Sequence, residues 1–397
     1  MEHVHDYLII GAGMAADAAA KAIREVDPAA DVGLVGEETS APYQRPPLSK
    51  SLWKGDKSPT DVDLATAASG ATLHLGRRVE SLDRLTHTAL DDRGDSYRYR
   101  RLLLATGATP RRLPFEGGKR LIHYRTLADY QALHGFAQPG AYIAVIGGGF
   151  IGCELAASLV SLGCKVSLLF PGEALGAGRY PPGLARFLTE YFVNHGVDVR
   201  AGAKVIGSRP TDGGVELDLE DGSLLRVEAA VAGVGVSPNV ALAEQAGLTV
   251  DDGILVDAQL RSSDPDIWAA GDVANFESPA LERRLRVEHE DAAVGMGRLA
   301  GRAMAGEQAS YTTLPFFYSD MFDLGYEAVG LLDTRLQVVE DWTEPYREGV
   351  VYYLDGGRVR GVLLWNVWDQ VDAARELIAE PGPFDAASLQ GRLPKKS

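Results

Sequence analysis

The chain has 397 residues, 46% hydrophobic and 24% charged, a globular composition long enough for two or three domains. Its net charge of −16 argues against nucleic acid or an anionic membrane surface as the main partner. No run reaches the ~18 consecutive apolar residues of a membrane helix, and a first strand expected within ten residues of Met1 leaves no room for a leader, so a cytoplasmic protein is expected.

His3 and His5 alternate ahead of that strand. A paired metal site and a frayed, solvated terminus are both open, and the pattern favours the terminus; no metal site is expected. Residues 8–10 form a short apolar run that suits a buried parallel strand. Gly11, Gly13 and Ala16 follow with G-x-G-x-x-A spacing: a glycine for the tight turn, a glycine that lets backbone approach a diphosphate, and a small residue for close helix packing. The helix that follows directs its N-terminal amides at the same diphosphate. A second apolar run precedes Glu37, which lies 21 residues beyond Ala16, an offset suited to a carboxylate that binds ribose hydroxyls.

The Pro-rich stretch at 41–50 carries Arg45 and Lys50. It reads either as a rigid surface loop or as a loop that reaches the bound nucleotide, and Ser49 is placed to cap a short helix. Residues 71–100 alternate as antiparallel strands do. The run from Leu102 ends in a glycine turn, and Arg111 and Arg112 lie in an expected linker.

From Ala141 the supersecondary unit repeats: an apolar strand, then Gly147, Gly149 and Gly152, a helix, a second strand, and Glu173 at the same offset of 21 residues. Two such units imply two dinucleotides, one resident and one exchanged. Glu173 would repel a 2′-phosphate, which favours NADH over NADPH, while Arg179 keeps that preference open. Glu154 sits on the first turn of the second helix, where a carboxylate also complements the helix dipole. Cys153 and Cys164 have no redox or metal-ligand spacing and read as small buried hydrophobes.

Further on, the apolar run 267–270 closes on Gly271-Asp272, the strand end at which open parallel sheets bind ligands. Arg283, Arg284 and Arg286 form a local basic run ahead of an Ala/Gly-rich helix at 292–304. Two strands flank Gly356-Gly357 as a hairpin, a helix starts near Asp372, and residues 393–397 read as a frayed tail.

Five segments are distinctive, the first and third of them highly specific: Pro42-Tyr-Gln-Arg-Pro-Pro-Leu-Ser-Lys-Ser-Leu-Trp53, Ala269-Ala-Gly-Asp272, Arg286-Val-Glu-His-Glu-Asp291, Tyr318-Ser-Asp320 and Gly325-Tyr-Glu-Ala-Val-Gly330. On these the chain resembles the two-dinucleotide flavoprotein reductases of the glutathione-reductase fold. Within them it is most similar to the apoptosis-inducing-factor family and the NADH-dependent ferredoxin reductases. The resemblance implies an α/β chain of two Rossmann-like dinucleotide-binding domains and a C-terminal α+β domain. FAD would occupy 1–112 with 236–308, NADH 113–235, and an interface-type domain 309–397.

The resemblance further implies that Gly11, Gly13, Ala16, Glu37, Arg45, Lys50, Arg111 and Asp272 hold FAD, and that Gly147, Gly149, Gly152, Glu154 and Glu173 hold NADH. Glu288 would bind the nicotinamide amide, His289 would lie against the flavin, and Tyr318 would wall the nicotinamide. Lys50 would pair with Glu154 at the flavin edge, so Lys50, Glu154, His289 and Tyr318 are the candidate catalytic residues. Residues 40–55 hold no cysteine, so electrons would leave the flavin directly, to a ferredoxin-like protein or a small acceptor. The alternative is a redox sensor in which a long-lived FADH−/NAD+ charge-transfer complex controls partner binding or a homodimer. The acidic charge gives no support for a DNA-binding role.

Overall fold

The computed structural model describes residues 1–393; of the tail expected at 393–397, Leu393 is buried and residues 394–397 lie outside the described residues. The chain divides into two compact units. The first comprises Met1–Arg45, Pro59–Thr109 and Ser237–Pro315, and the second Pro46–Ser58, Pro110–Val236 and Phe316–Ser397.

In the first unit, strand β1 (Glu2–Ile10) leads through the glycine turn into helix α1 (Met14–Val26) and back to strand β2 (Val32–Gly36). The sheet runs Thr72–Leu75, β2, β1, Ser96–Leu104, all parallel. The strand Ser96–Leu104 changes partner along its length. Its start pairs antiparallel with Thr88–Asp91, and Leu102 to Leu104 pair parallel with Ile267–Ala269. Thus Thr72–Leu75, expected as antiparallel, is a parallel edge strand. The buried residues 7–10, 102–104 and 267–269 form the continuous apolar layer that a doubly covered parallel sheet requires.

The terminus is not frayed. Backbone pairing with Ser96–Leu104 begins at Glu2, His5 is buried, and His5 Nε2 lies 3.2 Å from His74 Nε2. Gly33 lacks the side chain that would block the His5 ring, since a Cβ there would come within 2.3 Å of it. Among the described residues no three metal-ligating side chains converge.

In the second unit, strand β3 (Tyr142–Ile146), helix α2 (Phe150–Ser161) and strand β4 (Lys165–Phe170) repeat the motif. Their sheet is wholly parallel, in the order Val197–Ala201, β4, β3, Ala229–Ala232, Leu121–His123. A second, antiparallel sheet contains β5 (Phe316–Met321) and β6 (Leu324–Gly330), followed by Arg358–Trp365, Glu348–Asp355 and Gln337–Glu344. Gly356 and Gly357, at φ 56° and 77°, make the two-residue turn between Glu348–Asp355 and Arg358–Trp365, the left-handed geometry that twisted hairpins demand.

The Pro-rich stretch from Pro46 belongs to this second unit. The Trp53 indole N–H donates to the Leu48 carbonyl at 2.7 Å, the Tyr124 hydroxyl donates to the same oxygen, and Tyr130 donates to the Leu52 carbonyl at 3.3 Å. Among the described residues no helix is long and apolar enough to cross a membrane.

Candidate functional site: two dinucleotide cradles and a buried ion pair

Each glycine triplet divides its labour in the same way. Gly11 has φ +122°, and a Cβ there would stand 2.0 Å from the Ala105 carbonyl oxygen; Gly147 has φ +116° and would meet Gly233 oxygen at 2.4 Å. These positions turn the chain against a neighbouring strand, and only glycine fits. Gly13 faces open space, and a Cβ at Gly149 would find its nearest neighbour 4.0 Å away. These are the positions at which a diphosphate approaches backbone, at the N-termini of α1 and α2. The third positions close the helices onto their strands: Ala16 is fully buried, and a Cβ on Gly152 would stand 1.8 Å from the Gly147 oxygen. Both cradles therefore fit a bound dinucleotide.

Around the first cradle, Glu37 is exposed just beyond the end of β2, with its carboxylate available for hydroxyls. Arg45 is held by Glu38, which accepts from its guanidinium at 2.6 Å and from Tyr43 at 2.6 Å. Burial disfavours the Arg45 cation, but Tyr43 and Glu38 outweigh it and Asp272 adds to them, so its pKa rises. Asp272 is buried just after Ile267–Ala269 and also acts on His289. His289 is the N-cap of the helix Glu290–Met304. Desolvation lowers its pKa to about 4, against the opposing influence of Asp272. It is therefore neutral near pH 7, as befits an imidazole at the positive end of a helix. Glu288 is exposed and accepts from Arg286 at 2.8 Å. The first unit thus brings Arg45, Asp272 and His289 into electrostatic contact; sequence reading missed Glu38 and Tyr43, which orient Arg45.

The second unit carries the ion pair. Glu154 is 2% exposed on the first turn and a half of α2. The Lys50 ammonium donates to its Oε1 at 2.7 Å, and lies 5.0 Å from the centre of the Tyr318 ring. Ser49 donates to Glu154 Oε2 at 2.5 Å, so it does not cap the helix Ser51–Lys54, whose N-cap is Lys50. Glu173 is exposed beyond β4. The Arg179 guanidinium stacks 4.3 Å over the Phe150 ring. Arg111 is exposed, with its backbone N–H bonded to the Gly235 carbonyl.

Cys153 and Cys164 are both free. Burial pushes the Cys153 thiol up to about 12 and raises Cys164 as well, so neither is a thiolate at neutral pH. In the arginine run, Arg284 bonds Asn275 and the Val256 carbonyl, and Arg286 bonds Asp252, Glu288 and the Asp272 carbonyl. Arg283 is exposed.

The pattern of the pyridine nucleotide-disulphide oxidoreductase family matches residues 5–297. The chain belongs to this family. A further pattern, the C-terminal region of mitochondrion-associated apoptosis-inducing factor, matches residues 340–380. The chain is 33% identical to the ferredoxin–NAD(+) reductase component of the anthranilate 1,2-dioxygenase system of Burkholderia cepacia, covering 96% of both. It is 32% identical to apoptosis-inducing factor 1 of Dictyostelium discoideum, covering 94% of this chain and 78% of the relative. The structure of a covalent putidaredoxin reductase–putidaredoxin complex matches with a TM-score of 0.90 at 30% identity, over 96% of this chain and 94% of the other. As a pyridine nucleotide-disulphide oxidoreductase of this branch, the chain is an FAD-dependent NAD(P)H oxidoreductase, and its two cradles fit FAD and NAD(H).

Proposed function

We propose that the chain takes reducing equivalents from NADH through FAD and delivers them singly to a ferredoxin-type protein, with no cysteine relay. The observation that carries this reading is the buried Lys50–Glu154 pair, with Ser49 beside it, where a disulphide-reducing member would need a redox cysteine pair; residues 40–55 hold none, and both cysteines of the chain are buried thiols. The names of the Burkholderia relative and of the putidaredoxin complex support a small iron–sulfur protein as acceptor.

FAD belongs to the first cradle, in 1–112 with 236–308. Glu37 takes the ribose hydroxyls there, and Arg45, Lys50, Arg111 and Asp272 are the further residues that would hold FAD. NADH belongs to the second, in 113–235, with 309–397 as an interface-type domain. Exposed Glu173 takes the adenosine ribose and repels a 2′-phosphate, while Arg179, stacked on Phe150, is turned to a different contact; both support NADH over NADPH. The bound cofactors supply hydride transfer from C4 of nicotinamide to N5 of flavin and then one-electron release. The protein would contribute orientation: in the second unit Tyr318 would wall the nicotinamide and Lys50 with Glu154 would supply a fixed charge pair, and in the first Glu288 would receive the nicotinamide amide and neutral His289 would face the flavin without adding charge.

The test is anaerobic mixing with NADH followed by addition of acceptors. Rapid bleaching and fast reoxidation by a ferredoxin, slower at higher salt, are expected. Lys50→Ala should slow bleaching at least tenfold, or about 1.4 kcal/mol; unchanged bleaching removes that role. The match to the apoptosis-inducing-factor C-terminal region favours a second reading, a redox sensor. Slow reoxidation in air, a persistent long-wavelength band and dimerisation on adding NADH would select it.

A further inference from the structure

Glu154 accepts hydrogen bonds from three side chains on two remote segments. Ser49 and Lys50 come from the Pro-rich stretch, and the Ser319 hydroxyl of β5 donates to Oε1 at 2.6 Å. The two hydroxyls grip opposite oxygens, which fixes the plane of the carboxylate. Lysine alone supplies no such constraint, because an ammonium is a compact, freely rotating point charge on a flexible stem. Its own ring contact comes from Tyr318, the residue next to Ser319. Successive residues of one strand therefore touch both members of the pair. That strand is well anchored: Ser319 is 1% exposed and stands opposite Tyr326 of β6. The other side is anchored too, since Ser158 of α2 donates to the Ser49 carbonyl at 3.2 Å.

We propose that Ser319 is a positioning residue for hydride transfer, setting the direction of the Glu154 carboxylate and through it the place of the Lys50 ammonium. The inference rests on the reductase reading above but makes a separate demand: the antiparallel sheet, not only the nucleotide unit, sets the geometry of the pair. Without the Ser319 hydroxyl, Oε1 keeps Lys50 alone, the carboxylate swings about its remaining bond to Ser49, and the ammonium follows it. Ser319 is buried and is not itself among the residues expected to hold NADH, so NADH affinity should move far less than the rate.

The experiment compares Ser319→Ala, Ser319→Thr, Ser319→Cys and Lys50→Ala in the flavin-loaded full chain, by stopped-flow reduction over a range of NADH concentrations and by crystal structures. For Ser319→Ala the limiting bleaching rate should fall about five- to tenfold, with the apparent NADH dissociation constant within about twofold. Threonine, which keeps the hydroxyl, should restore most of the rate. Cysteine keeps the size but donates weakly, so it should fall between and serves if the alanine variant folds poorly. In the alanine crystal structure Lys50 Nζ should lie beyond about 4 Å from the carboxylate. A rate and an ion-pair geometry both unchanged in Ser319→Ala, with Lys50→Ala slow, overturn the positioning role and leave the reductase reading standing. Lys50→Ala bleaching at the wild-type rate sinks both.

Discussion

The two nucleotide units share turn, spacing and topology, yet their helices are packed by opposite means. In the first, the helix Glu290–Met304 lies on α1 through small residues. A Cβ added to Gly297 or Gly301 would stand 2.2 Å from the Ala15 oxygen or 2.4 Å from the Ala19 oxygen. That contact brings one helix backbone against the other through small residues, with no charged side chain between them at Gly297 and Gly301. In the second, α2 meets β5 and the Pro-rich stretch through a buried carboxylate with three donors. A close-packed apolar seam gives rigidity and no chemistry, which suits a resident cofactor. A buried charge pair is costly to desolvate and is kept where its charge is used, which suits a visiting nicotinamide.

The largest effects should come from the cradles themselves. Gly11→Ala forces a Cβ into the Ala105 carbonyl at a strained φ, so the purified variant should be colourless. Gly152→Ala drives the same clash against Gly147. It should stay yellow, with NADH affinity at least about 100-fold weaker, about 2.7 kcal/mol by titration. A Gly152→Ala protein that lost its flavin instead would break the division between resident and exchanged sites. Next comes the ion pair. Glu154→Ala leaves Lys50, itself 13% exposed, beside an empty carboxylate position, and should cost about 3 kcal/mol in denaturant unfolding. Gly297→Ala should instead loosen the apolar seam and the flavin without touching NADH binding.

That contrast was only partly legible in the sequence. Both cradles were, because each job falls on a fixed position of a local pattern. The Gly356-Gly357 hairpin was too, since its turn type dictates its residues. What escaped depends on partners far along the chain. Ser49 looks like a helix cap until Glu154, 105 residues away, is seen to take its hydroxyl. The Pro-rich stretch follows the first nucleotide motif in sequence, but Trp53 and Tyr124, 71 residues apart, fasten it to the second unit. Ser319 lies inside a segment singled out for its neighbour Tyr318, and nothing local marks it. His3 and His5 looked like a loose terminus because their pairing partner begins only at Ser96.

A smaller effect is set by pH and weighs most on the first unit, although burial also lowers His123 in the second. His289 and His74, both in the first unit, have pKa values lowered to about 4, each chiefly by desolvation. A depressed folded-state pKa means that the unfolded chain binds more protons between about 4 and 6.5. Their contribution is therefore complete above pH 6.5 and is lost as pH falls toward 4. Acidification from pH 7 to 5 should lower the melting temperature and release flavin. His74→Gln should flatten the profile in that window; an unchanged slope would assign the acid sensitivity elsewhere.

The smallest predicted effect concerns the arginine run beside Glu288. Three arginines so close in sequence suggest a docking patch for an acidic iron–sulfur protein, but two of them are committed. Arg284 is bound by Asn275 and the Val256 carbonyl, and Arg286 bridges Asp252 and Glu288. Replacing either disturbs the first unit whatever the acceptor, so neither tests docking. Arg283, exposed on the short strand Arg283–Leu285, does. A single rim charge changes encounter rate more than affinity, so Arg283→Glu should slow ferredoxin reduction about two- to fivefold at low salt and leave NADH bleaching unchanged. The difference should fade once the Debye length drops below about 8 Å. An effect that persists at high salt would mean that Arg283 acts through the fold of the first unit and not through its charge.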